Sequence, residues 1–192
     1  MEKAVNWFFS LVRVVGASVP FASSLIQLHA EVDSRDTQKR LQTLEDPISG
    51  LHPDVREVSR IIYDRMREAD SNRVALPEEM YGRFGRALAV LEANGHIRGT
   101  HALGQRFVAG LWVTDSSYIV YLCGLFEDPR KMDRLFQVID VAKPKQWLKG
   151  VEIAQELGLP VAVVKGIFDL YAAKGFGIVS NEIGTANYYA QV

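Results

Sequence analysis

Residues 150–192 read GVEIAQELGLPVAVVKGIFDLYAAKGFGIVSNEIGTANYYAQV, and this stretch decides the fold. Val151, Ile153, Ala154 and Leu157 recur at helical spacing on one side of a short helix, with Glu152, Gln155 and Glu156 elsewhere. Gly158 ends that helix, because a residue without Cβ takes the left-handed conformation at a C-terminus without steric cost. Pro160 opens the next one: its fixed φ suits a first turn, and its missing N–H is not needed there. Val161, Val164, Ile167, Phe168 and Tyr171 then form an apolar stripe that must lie on other helices, and Gly175 stops the run. Beyond it, GIVSN and ANYYAQV are β-prone segments around a polar turn with Gly184, so two antiparallel strands are expected.

The order helix, glycine turn, helix, hairpin resembles the winged helix-turn-helix superfamily over roughly Arg130 to Val192. That fold serves both as a DNA reader and as a protein-docking module. The resemblance makes the helix after Pro160 a recognition helix, whose outward candidates are Ala162, Lys165, Gly166, Asp169 and Lys174. Of these, Lys165 is the one suited to a base edge. Lys143, Lys145 and Lys149 are placed to hold phosphates beside it or to be ordinary solvated lysines.

A second copy of the plan lies upstream. Val55, Val58, Ile61, Ile62, Tyr63 and Met66 give an amphipathic helix introduced by Pro53 and by Asp54, which is expected to cap it. PEEMYGRFGRALAVLEANGHI predicts another helix. Its Pro77, Glu78 and Glu79 belong at the positive end of the helix dipole, and Asn94 and Gly95 close it. HIRGTHALGQRFVAGLWVTD alternates around Leu103, Gly104 and Gln105 as a hairpin does, and SSYIVYLCGLF follows as a buried helix or strand. The expected fold is therefore mainly α with small β-hairpins: an apolar helical extension over 1–45, a first winged-helix-like module over 46–129 and a second over 130–192. The alternative is a single mixed α+β domain in which helices and hairpins alternate.

The extension is far more apolar than an arm on DNA requires. From Ala4 to Leu28 the only charge is Arg13. A membrane span needs about twenty apolar residues, and Asn6, Arg13, Gly16 and Pro20 interrupt the run. A cleaved leader and a pair of short helices docked on protein are the other readings. Trp7, Phe8, Phe9, Leu11, Val15, Phe21 and Leu25 would make the assembly or membrane contact. The stretch VPFASSLIQL leading into AEVDSRDTQKRLQTLEDPI resembles, over Phe8 to Ile48, hydrophobic extensions of uncharacterised bacterial defence and signalling proteins. This likeness implies a place in a bacterial stress, signalling or defence complex, while self-association or a protein partner is expected from the need to bury the apolar run. The single Cys123, set among Tyr121, Leu122 and Leu125, fits a reducing cytoplasm, with the chain free there or peripheral to or anchored in a membrane.

Charge weighs only faintly on function. The 192 residues carry 22 basic and 23 acidic side chains, and nucleic-acid affinity comes mainly from Lys and Arg on phosphates. Residues 46–129 hold nine basic and twelve acidic groups, and residues 130–192 hold eight and six. Within the first module, Arg83 and Arg86 are three apart on one helix face, with Met80, Phe84, Leu88 and Leu91 on the other. Arg98 and Arg106 are expected to flank the hairpin turn. Four arginines on helix and hairpin suit a phosphate clamp, or an acidic protein surface, since guanidinium meets two oxygens at once.

Catalysis is not expected. No GxxxxGK[ST], GxGxxG or GxSxG pattern occurs, and GRFGRA is only a pair of helix glycines. His29, His52, His96 and His101 lack a ligand pattern with cysteine, so no metal and no cofactor are expected, and no small-molecule substrate is evident. His96 and His101 read as exposed polar residues near a turn. Asp115 with Ser116 and Ser117 reads as a helix cap. The sequence thus points to a DNA-binding regulator or adaptor, or to a protein-interaction and oligomerisation scaffold.

Overall fold

The computed structural model describes residues 51–101, 108–180 and 186–191. Arg106 and every residue named for assembly or membrane contact lie outside the described residues. The described chain runs α1 (Val55–Ala69), β1 (Arg73–Val74), α2 (Glu78–Ala93), β2 (Ile97–His101), β3 (Val108–Val113), α3 (Ser116–Phe126) and α4 (Pro129–Asp140). It continues through β4 (Trp147–Lys149), α5 (Gly150–Leu157), α6 (Val161–Ala173), β5 (Gly177–Val179) and β6 (Asn187–Ala190). It is mainly helical, with two separate antiparallel sheets ordered β1-β3-β2 and β4-β6-β5. Among the described residues no helix is long and apolar enough to cross a membrane.

Local chemistry explains most boundaries. Gly95 and Gly158 take φ of +76° and +61° just beyond α2 and α5, where an L side chain would be strained. Glu78 and Glu79 occupy the first turn of α2. The Asp115 carboxylate accepts from Ser117 N at 2.9 Å and from Tyr118 N at 3.3 Å, capping α3 as its sequence predicts. Asp54 departs from expectation: it precedes α1, but its side chain makes no cap bond.

Both hairpins form, and each gains a third strand that the sequence does not announce. β1 and β4 are two and three residues long, too short for any alternation to register. They exist because the last strand of each hairpin offers them its free edge, so Val74 pairs with Leu111 and Leu148 with Tyr188.

SSYIVYLCGLF is a helix, and its seven consecutive buried residues Ser117–Cys123 leave it no solvated face. A helix apolar all round must be enclosed by other elements. On one side α1 covers it, with Ser59 Oγ and Tyr118 Oη sharing a buried 2.7 Å hydrogen bond. On the other lies α6, and a single apolar core runs through both halves. Gly166 permits the close crossing: a Cβ there would stand 3.3 Å from Ser116 O and 3.4 Å from Val120 Cγ2. Two polar ties reinforce it. Ser116 Oγ donates to Asp169 Oδ2 at 3.0 Å, and Asp70, at the end of α1, accepts from Val161 N at 2.8 Å, capping α6 from the other half.

Candidate nucleic-acid interface

α6 has little outer surface left for reading DNA. Val163, Val164, Ile167, Phe168 and Leu170 are buried, and so is Gly166, which the sequence places outward. Ala162 packs against the core and Asp169 is tied to Ser116, so the supposed recognition face is largely the seat of α3. The sequence could not reveal this, because glycine and alanine read as exposed or as close-packed with equal ease. Lys165 is exposed, yet its Nζ reaches both Asp169 carboxylate oxygens at 2.9 Å. Lys149 pairs with Glu152 at 2.7 Å. Lys143 and Lys145 are exposed on the loop before β4, where Lys145 takes φ of +68° and its N–H donates to Ala190 O at 2.7 Å.

The first half presents its cations differently. All nine basic residues of 46–129 are arginines. Arg83 and Arg86 stand exposed on α2, opposite buried Phe84, Leu88 and Leu91. Arg83 stacks over Phe84 at 4.6 Å and meets Glu57 at 2.8 Å in an exposed pair. Such a pair is worth well under ~1 kcal/mol and yields readily to a phosphate. Beside them Gly82 and Gly85 face open space, so the backbone of α2 can be approached closely.

Arg98 is not at the turn. It is the second residue of β2, and its cross-strand partner is Trp112 of β3, whose other neighbour is Arg73 of β1. The register therefore builds a row Arg73–Trp112–Arg98 across the outer face of the first sheet, while Val74, Leu111 and Ile97 point into the core. The Arg73 guanidinium lies over the indole at 5.2 Å. Arg73 was not singled out from the sequence, because only the pairing of β1 with β3 brings it beside Trp112. Next to the row, Gly110 faces Thr100, whose Oγ1 donates to Gly110 O at 2.9 Å. Lacking a side chain at Gly110, the sheet is hollowed into an open groove of about 730 Å³ whose lining includes Arg73, Arg98, Thr100, Gly110 and Trp112.

The other sequence candidates serve the fold. His96 is buried rather than exposed: it stacks on Tyr118 with ring centroids 5.0 Å apart, and its Nδ1 meets Asp115 Oδ2 at 2.8 Å. Burial works to raise the Asp115 carboxyl, but hydrogen bonds from His96 and Ser117 outweigh it and hold the group below its usual range. Burial pushes the Cys123 thiol up to about 12, so it stays protonated and packs as a small apolar group beside Met132. Among the described residues no three His, Cys, Asp or Glu side chains gather as a metal site. Comparison with protein-family models, curated proteins and solved structures finds no match to this chain.

Proposed function

We propose that this chain is a non-catalytic nucleic-acid-binding adaptor built from tandem winged-helix modules, contacting nucleic acid through its first half. The succession α4, β4, α5, α6, β5, β6, with the last strand central in its sheet, fits a winged helix. The first half, α1, β1, α2, β2 and β3, follows a shortened form of the scheme, with α2 in the place of α6 and no helix in the place of α5. One observation carries the functional reading: α2 and the first sheet keep Arg83, Arg86, Arg98 and Arg73 in solvent, whereas α6 is seated against α3. A phosphate backbone needs exposed cations, and guanidinium offers it paired donors. In this reading the second module is chiefly an architectural partner, and Lys165 contributes at most a peripheral contact.

A second reading rests on the second sheet. Trp147, Tyr189 and Ile178 form its outer row, and Trp147 and Ile178 are 56% and 53% exposed. Exposed aromatic and aliphatic side chains in one row favour a protein partner, which is the scaffold role. The two roles coexist in an adaptor. Titration of the full chain with fluorescently labelled random duplex and random single strand tests the first. Binding at low salt should fall steeply between about 50 and 200 mM salt, and Arg83→Ala with Arg86→Ala should flatten that slope. No binding of either nucleic acid at low salt would leave the scaffold role alone.

A further inference from the structure

The groove on the first sheet differs from a general cationic surface in having an aromatic floor between two cations. Trp112 is half-buried near the end of β3, the middle strand of the sheet, and is flanked in register by Arg73 on β1 and Arg98 on β2. Among the described residues neither arginine meets a carboxylate. That distinguishes them from Arg83, which is held by Glu57, and from Lys149 and Lys165, which are held by Glu152 and Asp169. Thr100 and Gly110 also line the groove, with the Thr100 hydroxyl donating to Gly110 O. A volume of about 730 Å³ exceeds what a single base needs and falls within the range of ordinary ligand sites.

We propose that this groove is a site for an unpaired nucleotide of single-stranded nucleic acid, its base stacked on the Trp112–Arg73 platform and its flanking phosphates on Arg73 and Arg98. A duplex cannot use the platform, because its bases are stacked on one another and offer only edges. A single strand can, since every base has a π-face and stacking tolerates any sequence. The Arg73 guanidinium covers one indole face with a second planar group, on which a base can stack in turn, and carries the charge that a phosphodiester seeks. The groove is open rather than enclosed, which suits a strand lying along the sheet better than a sequestered small molecule. This assignment rests on the first half being the nucleic-acid face, and it adds the form of nucleic acid and the residue that grips it.

The test is fluorescence anisotropy of the full chain with a labelled single strand, a labelled duplex and, as competitor, a free mononucleotide. Trp112→Ala should weaken single-strand binding by about tenfold, the worth of one base stack, and leave duplex binding unchanged. Trp112→Phe, which keeps an aromatic face, should restore most of the loss. Arg98→Ala should lower the salt slope by about one. Retention of full single-strand affinity by Trp112→Ala, while Arg83→Ala with Arg86→Ala still weakens it, would overturn the groove assignment and leave the nucleic-acid role standing. Displacement of the strand by an equal concentration of mononucleotide would overturn the strand and make the groove a nucleotide pocket. Absence of any binding by the native chain would overturn both.

Discussion

The two sheets share one strand order and one register yet carry opposite chemistry on their outer rows. Arg73–Trp112–Arg98 on the first occupies the positions that Trp147–Tyr189–Ile178 occupies on the second. The inner residues next to them are alike, since Val74 and Leu111 are buried as Leu148 and Tyr188 are. The core constraint is thus the same twice, and only the solvated positions were free to diverge. The helices before the hairpins diverge in the same direction, with α2 open and α6 enclosed. Together they set a first half with exposed arginines on α2 and on its sheet against a second half whose α6 is enclosed by the buried helix α3.

The harshest way to break this division is to force α3 and α6 apart. Gly166→Leu should cost about 3 kcal/mol by overpacking a crossing that is already tight for a Cβ and leaves no space for a longer side chain. Urea unfolding of the variant checks this, and a native midpoint would mean that α6 is not seated on α3. Tyr118→Phe on the α1 side leaves buried Ser59 without its partner, for a loss of about 1–3 kcal/mol. If the same denaturation experiment shows no change, the contact of α3 with the first half is not what holds it.

Asp115 sharpens the comparison through pH. Its folded carboxyl titrates below its unfolded counterpart, so its charge stabilises the fold at and above about pH 4. That contribution fades as pH falls through the lower folded value. Asp115→Asn should therefore be less stable than the native chain near neutrality, and the gap should narrow in acid. A gap that stays constant down to about pH 2 would remove the His96–Asp115 bond from the account. The smallest effect is expected for Asp70→Ala, which removes the cap that one half supplies to α6, at about 1 kcal/mol. The same variant should leave nucleic-acid binding untouched.

How much of this could be read in advance follows from the range of each interaction. Helix ends were legible at Gly95, Gly158 and Asp115, because a positive φ or a cap is set by neighbours in sequence. The hairpins were legible from alternation. The third strands, the enclosure of α6 and the burial of His96 were not, since each depends on partners tens of residues away. Arg83 and Arg86 were legible as neighbouring exposed cations on α2, whereas Arg98, expected at the turn, lies within β2. The Trp112 platform was missed, although WVTD stood in the hairpin, because its meaning lies in the register that sets Arg73 and Arg98 on either side.

The most direct test compares the two rows in one assay: single-strand anisotropy titrations of the full chain carrying Trp112→Ala or Trp147→Ala at low salt. Both tryptophans are partly or largely solvated, so neither loss should unfold the chain. A drop of about tenfold for Trp112→Ala with native affinity for Trp147→Ala is the predicted result. Equal losses in both variants, or a loss confined to Trp147→Ala, would contradict it.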